Sequence, residues 1–228
     1  MKYRLTLAAI AALTLALAGC NADSEPDLDS DESQYGYAIG WQVGQNMRQS
    51  GQELEAEATA AAIRDALSDR EPRLDEAAMQ AALQEAQERE RRERAGAAEE
   101  NRAAGEAFME QYREQDGVET SPEGLAWRVL EEGDGPKPEA GATVLVHYEG
   151  TTVDGEVFDS SYERGEPVSF PTDAVIDGWQ LILPQMPEGS VWEVVIPADL
   201  AYGDEGAGGA IGAGETLIFE IELLDAEA

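Results

Sequence analysis

Cysteine and histidine are almost missing from this chain, with one of each in 228 residues. A single Cys permits no intramolecular disulfide and no Cys-rich zinc site, and a single His removes the imidazole clusters on which most metal centres are built. A metalloenzyme is disfavoured, and the composition implies no cofactor. Basic residues are scarce as well: 15 Lys plus Arg face 48 Asp plus Glu, a formal net charge of −33. Nucleic-acid backbones are bound by clustered Lys and Arg that release counterions, so DNA and RNA are set aside as partners. Beyond the first 19 residues no run is long and apolar enough to insert into a membrane. What is present is 43% hydrophobic residues, too many for a wholly disordered chain and enough for the cores of one or two domains.

The first 19 residues hold Lys2 and Arg4, an uncharged apolar stretch from Leu5 to Ala18, and no acidic side chain. This is the pattern of an export signal. Leu17-Ala18-Gly19-Cys20 resembles the lipobox of bacterial lipoproteins, which implies a diacylglyceryl group on Cys20 and cleavage before it. Losing Lys2 and Arg4 takes two of the 15 basic residues, so the mature chain carries a formal −35. Acyl chains would then supply the membrane affinity. Residues 20–32 are dense in Asp and Glu and poor in apolar residues, as in a solvated, self-repelling tether. Asp27, Asp29 and Asp31 imitate the start of a calcium loop. The pattern then fails, with Glu32 where Gly is needed and Ala38 where a bidentate Glu is needed.

Residues 33–117 are rich in Ala, Glu, Gln and Arg and read as helical. A first helix is predicted from Ser33 to Gly51, with Gly36, Gly40 and Gly44 at spacing four. Glycine weakens a helix, so three on one face suggest close approach by another backbone, an interaction surface. A second helix is predicted from Glu55 to Ser68, burying Ala58, Ala62, Ile63, Ala66 and Leu67, with Pro72 beyond it. A third starts after Asp75 as N-cap and continues to Asp116-Gly117, about 60 Å at 1.5 Å per residue. Met79, Leu83 and Ala86 open it and Phe108, Met109 and Tyr112 close it. The polar run from Glu88 to Arg94 between them is expected to be solvated, its arginines pairing with interleaved glutamates.

After Gly117 the composition turns to strands and turns. Leu125 to Glu131 and Thr143 to Glu149 alternate, the latter with Val144, Val146 and Tyr148 on one face and His147 on the other, outward or at an edge. Further strands are predicted near Val157, at Pro167 to Phe170, Val191 to Ile196 and Thr216 to Leu224, with a short helix at Trp179 to Leu183. The fold class is α+β: an all-α N-terminal part with a long connecting helix, then an antiparallel sheet wrapped around a short helix. The glycine-rich segment Gly206 to Gly214 has no following Lys-Ser or Lys-Thr and leads into a strand, so it is no phosphate loop. A Ser-His-Asp hydrolase would have to draw on His147 with no nucleophile-elbow sequence nearby. The aromatic residues are concentrated late, with Tyr148, Phe158, Tyr162, Phe170, Trp179, Trp192, Tyr202 and Phe219 all beyond the chain's midpoint.

The order and spacing of Val146-His147-Tyr148-Glu149-Gly150, Asp154-Gly155, Val157-Phe158-Asp159-Ser160-Ser161, Val175-Ile176-Asp177-Gly178-Trp179, Met186-Pro187-Glu188-Gly189, Ala201-Tyr202-Gly203 and Thr216-Leu217-Ile218-Phe219 resemble the FKBP-type peptidyl-prolyl cis-trans isomerases over residues 120–228. Tyr37-Ala38-Ile39-Gly40 and the three helices resemble the dimerisation half of the macrophage-infectivity-potentiator branch. The resemblance implies a division into signal peptide (1–19), lipidated tether (20–32), helical dimerisation domain with long helix (33–117) and isomerase domain (118–228). It implies a homodimer through residues 33–68, proline-containing exported proteins as substrates, inhibition by macrolides of the rapamycin type, and a place in the cell envelope on the periplasmic side, anchored at the outer membrane.

Carried over residue by residue, the family's pocket would be lined by Tyr148, Phe158, Asp159, Phe170, Val175, Ile176, Trp179, Tyr202, Ile211 and Phe219. Asp159, Tyr202, Ile176, Trp179 and Phe158 would act on the reacting amide. Rotation about an X-Pro bond breaks no σ-bond and needs neither nucleophile nor metal; the obstacle is amide resonance, near 20 kcal/mol. An apolar site favours the twisted amide, which has lost charge separation, and a few hydrogen bonds hold the neighbouring carbonyls. Two departures stand out. Ile211-Gly212-Ala213-Gly214 replaces a proline-containing stretch and is expected to loosen the loop over the pocket, and Pro184 is expected to end the short helix early. The alternative from another class is a holdase chaperone with a vestigial isomerase site.

Overall fold

A computed structural model describes residues 26–49 and 54–227. The export signal and Cys20 lie outside the described residues. Two compact units result, one ending at Arg73 and one running from Leu74 onward.

In the first unit, α1 (Asp31–Gln49) and α2 (Ala56–Leu67) fall within two residues of their predicted limits. Glu55 caps α2, its carboxylate accepting from the backbone N–H groups of Glu57 (3.0 Å) and Ala58 (2.6 Å). The turn after α2 is tied by Asp65, which accepts from Arg73 at 2.6 Å and Arg70 at 3.3 Å. Hydrogen bonding from Arg73 holds the Asp65 carboxyl below its ordinary value against the opposing effect of burial. The face predicted to be buried is a correction: Ala58, Ala62, Ile63, Ala66 and Leu67 are all exposed in the single chain, and Asp65 alone is buried along α2. The 3.6-residue pattern identified an apolar face, but none of the described residues covers it.

The second unit opens with α3 (Glu76–Arg113), about 57 Å long. Asp75 caps it as expected, Oδ1 accepting from the Ala78 N–H at 2.7 Å, and Gly117 (φ +79°) follows its end. Residues 88–94 are exposed throughout, the solvated middle that the charge pattern predicted.

The strands β1 (Val118–Thr120), β2 (Ala126–Glu131), β3 (Thr143–Thr152), β4 (Val157–Ser160), β5 (Val168–Pro171), β6 (Val191–Ile196) and β7 (Leu217–Asp225) form one antiparallel sheet. Its order is β1-β2-β6-β7-β3-β4, with β5 also paired to β3. Long β3 serves both, pairing with β5 over Thr143 to Val146 and with β4 over Glu149 to Thr151. Burial along β3 alternates without a break, putting Val144, Val146 and Tyr148 inward. The inner core joins these to Trp192, Val194 and Ile196 of β6 and Leu217, Phe219, Ile221 and Leu223 of β7. Over it lies α5 (Asp177–Ile182), seated closely because Gly178 has no side chain: a Cβ there would meet Ile196 Cγ2 at 2.5 Å. The α-helix stops at Ile182 and a 3-10 turn, Leu183–Gln185, continues around Pro184, the early end that the sequence predicted.

The opposite face of the sheet is covered by the end of α3. Met109 and Tyr112 pack with Ala126 and Val195, and the Tyr112 hydroxyl donates to Glu193 Oε1 at 2.9 Å. Burial, the neighbouring Glu193 charge and that bond together push the Tyr112 phenol up.

Candidate active site

Tyr148 points into the core from β3, and Gly150, two residues on, shares its face. A Cβ at Gly150 would lie 2.4 Å from the Phe158 ring and 2.9 Å from that of Phe219, so its absence makes room for both. Phe219 sits directly opposite Gly150 on β7, and Asp159 opposite it on β4. Phe170 enters from β5 and Trp179 from the first turn of α5. Five rings then meet in four edge-to-face contacts: Trp179 with Tyr148 at 5.4 Å, with Phe170 at 5.7 Å and with Phe219 at 5.3 Å, and Phe158 with Phe219 at 5.5 Å. Such contacts hold aromatic walls rigid. Around them is a cavity of about 470 Å³, also lined by Val175, Ile176 and Tyr202.

The polar side of the cavity is one cluster. The Asp159 carboxylate accepts from the Tyr148 hydroxyl and from Arg164 Nη1, and Arg164 Nη2 also donates to Tyr148 Oη at 3.1 Å. The guanidinium lies 5.6 Å from the centre of the Tyr148 ring. Arg164 ends the single-turn helix α4 (Ser161–Arg164), which Ser160 caps through its hydroxyl and Gly165 (φ +76°) terminates. Burial alone would raise the Asp159 carboxyl, but the hydrogen bonds from Tyr148 and Arg164 and the adjacent positive charge outweigh it, and the group lies below its ordinary value. Burial, then the bond to Asp159, push the Tyr148 phenol up. At neutral pH the cluster is a fixed carboxylate held between a neutral phenol and a cation.

Nine of the ten residues predicted to line the pocket surround this one cavity: Tyr148, Phe158, Asp159, Phe170, Val175, Ile176, Trp179, Tyr202 and Phe219. Ile211 is the exception and a correction. It is buried in the adjoining core and absent from the lining, its backbone pairing with Ala207 in a short bridge. Ala174 lines the cavity in addition. His147 is no ligand: its Nδ1 lies 2.9 Å from Ser161 Oγ and its ring stacks on Tyr162 at 4.7 Å.

Comparison with known proteins places this geometry. A family profile described as "FKBP-type peptidyl-prolyl cis-trans isomerase" matches residues 135–224, and one for the "domain amino terminal to FKBP-type peptidyl-prolyl isomerase" matches residues 32–129. The chain is 38% identical to the outer membrane protein MIP of Legionella longbeachae over 98% of this chain and 97% of the relative. It is 43% identical to the FKBP-type 22 kDa peptidyl-prolyl cis-trans isomerase of Escherichia coli over 88% and 98% of the two chains. The crystal structure of FkpA from Escherichia coli superposes with a TM-score of 0.63 at 35% identity, covering 86% of this chain and 97% of that one. The chain belongs to the FKBP-type peptidyl-prolyl cis-trans isomerases.

As an FKBP-type isomerase it acts on X-Pro peptide bonds of proline-containing polypeptides, and the cavity's aromatic walls suit a pyrrolidine ring. Sequence reading missed Arg164. The available signal was its place five residues after Asp159 with a Gly behind it, a spacing that lets one helical turn bring the guanidinium back to the carboxylate. The loop expected to be loosened by Gly212-Ala213-Gly214 keeps a few backbone bonds of its own. Residues 203–214 are tied across their base by the Gly214 N–H to the Gly203 carbonyl at 2.8 Å, and by both backbone bonds between Ala207 and Ile211. The glycines remove side chains here while these three backbone bonds remain.

Proposed function

We propose that the Trp179 cavity is where the X-Pro bond rotates, with Trp179 as floor and Phe158, Phe170 and Phe219 as walls around the proline ring. The observation that carries this is the convergence of a rigid aromatic cavity with a single charged cluster at its edge. Trp179 is 4% exposed and Tyr202 41%, so the floor is dry while the rim reaches solvent. Among the described residues neither the Ile176 backbone N–H nor the Tyr202 hydroxyl has a hydrogen-bond partner, so both donors are free for substrate carbonyls. Asp159, fixed by Tyr148 and Arg164, orients the field across the twisting amide. Asp159→Leu and Tyr202→Phe should each lower kcat/KM for a proline tetrapeptide by about tenfold, a loss of about 1.4 kcal/mol in transition-state binding, with the fold intact by circular dichroism. A macrolide of the rapamycin type should compete with the peptide. Wild-type rates in both variants would remove the assignment.

The groove between α1 and α2, about 890 Å³, is lined by Gly36, Gly40, Val43, Gly44, Ile63 and Leu67 among others. A Cβ at Gly36, Gly40 or Gly44 would meet nothing within 4 Å, although Ile63 and Leu67 remain 46% and 85% exposed. The occupant is a second copy of this chain, making a homodimer through residues 33–68 whose paired isomerase domains assist folding of exported proteins. Cys20 carries the lipid that anchors the dimer at the outer membrane on the periplasmic side. No helix among the described residues is long and apolar enough to cross a membrane, so Cys20→Ser should release the protein from the membrane fraction.

A further inference from the structure

The long helix touches more than the sheet. Its buried residues, Ala98, Gly105, Met109 and Tyr112, recur every three to seven positions and mark a single face. Met109 and Tyr112 cover the sheet, whereas the two turns before them lie on the segment from Asp199 to Thr216 that carries Tyr202. Arg102 donates to Asp199 Oδ1 at 2.7 Å and, through Nη2 and Nε, to Asp204 Oδ1 at 2.8 and 3.0 Å. Asn101 Nδ2 donates to the Ala213 carbonyl at 2.9 Å. Gly214 (φ +74°) lies so near the helix that a Cβ there would meet the Ala98 carbonyl at 2.5 Å, and one at Gly105 would strike Thr216 Oγ1. Both strands of the loop are therefore held, one at Asp204 and the other at Ala213 and Gly214. They are joined to each other at that level by the Gly214 to Gly203 hydrogen bond. Tyr202 is the residue next to Gly203.

We propose that α3 is a positioning element for the isomerase site, with Arg102 and Asn101 as positioning residues that set the Tyr202 hydroxyl at the cavity rim. The inference rests on the assignment of the Trp179 cavity as the reacting site. Neither residue touches substrate. Arg102 fixes the loop through Asp199 and Asp204, and Asn101 fixes the returning strand, so the rim hydroxyl meets the substrate carbonyl without first ordering the loop. With Gly212-Ala213-Gly214 supplying little side-chain packing of its own, the helix provides the restraint that a stiffer loop would carry internally.

The test uses the full soluble chain, residues 21–228. Arg102→Gln should lower kcat/KM for a proline tetrapeptide by about threefold, chiefly through KM, and Asn101→Ala by a smaller factor, with the melting temperature nearly unchanged. Arg102→Lys should recover most of the loss, and Arg92→Gln on the solvated middle of the helix should change nothing. In a Tyr202→Phe background Arg102→Gln should have no further effect, since both act through one hydroxyl. Amide exchange at Gly203 and Gly214 should quicken in Arg102→Gln. An equal Arg102→Gln effect with and without the Tyr202 hydroxyl, or an unaltered rate and loop exchange, would overturn the proposal. If Tyr202→Phe and Asp159→Leu are themselves silent the cavity assignment fails first; if they act and Arg102→Gln does not, the positioning role alone is lost.

Discussion

The Trp179 cavity and the α1–α2 groove are both concave and largely apolar, but they are completed by different things. The cavity is finished within one chain: its aromatic rings brace one another edge to face, its carboxylate is paired with Tyr148 and Arg164, and Arg102 of α3 bonds its loop at Asp199. The groove is lined by glycines and aliphatic side chains, and among the described residues it has no ring-to-ring bracing and no cover. A site for a small, changing ligand needs rigid walls and fixed polar groups before the ligand arrives. On the proposed dimer, the groove is complete only when the copy is present, and small residues let the backbones meet.

Cutting the chain at different points separates the two most sharply. A form beginning at Leu74 should be a monomer with wild-type kcat/KM on short peptides, because the cavity and its α3 support are retained. A form beginning at Gly117 exposes Ala126 and Val195 by removing Met109 and Tyr112, and should lose about 3 kcal/mol or more of stability in urea denaturation. Equal stability of the two forms would mean that α3 is only a spacer.

The next largest effect belongs to the groove. A Cβ at Gly40 would meet nothing within 4 Å among the described residues, and Glu improves intrinsic helix propensity, so Gly40→Glu is directed at the partner copy. Burying that unpaired charge should weaken dimerisation by about 100-fold or more in sedimentation, with peptide activity untouched.

A smaller effect concerns the Asp159 carboxyl. Its folded value lies below the ordinary one, so its contribution is fully present above the unfolded value of about 4 and is lost as pH falls through the lower folded value. The pH profile of kcat/KM should therefore be flat down to about pH 5 and decline only below the usual carboxylate range. Arg164→Gln should move that decline upward, read directly by NMR titration of Asp159.

The smallest concerns the sheet's outer face. Glu149, Glu220 and Glu193 are directly opposed across β3, β7 and β6. Burial, then Glu149, Glu193 and Glu222, push the Glu220 carboxyl up. The native state then holds a proton that the unfolded chain has released, so stability falls as pH rises from the unfolded toward the folded value and stays lowered above it. Glu220→Gln should raise the melting temperature at pH 7 by about 2 °C and have no effect near pH 4. Added salt should raise the wild-type melting temperature in the same direction by screening this row and the excess negative charge.

Much of this molecule was legible without coordinates. Alternation from Thr143 onward gave β3, because side chains on an extended backbone must point to opposite faces. Asp75 marked the start of α3, because a carboxylate there satisfies an N–H that the helix leaves free. Nine of ten predicted cavity residues were legible through their motifs, each a short run whose strand or turn sets the direction of its side chain. Local rules of this kind act over a few residues, and the sequence by itself determined what they govern: the elements, the apolar faces, and the solvated middle of α3.

Tertiary structure decided what depends on meetings between distant residues. Val195 points away from the inner core and is buried in a second cluster to which α3 brings Phe108, Met109 and Tyr112. Ile211 follows the cavity motifs in order yet turns into the core through its bridge to Ala207. Ile63 and Leu67 sit on the face that the helical period selects and stay exposed, since burial depends on a partner surface as well as on pattern. Arg102 is one of several arginines on a charged helix, indistinguishable by spacing from Arg91 or Arg94. Its two aspartates lie 97 and 102 residues away, a separation over which only the packed fold can set a distance.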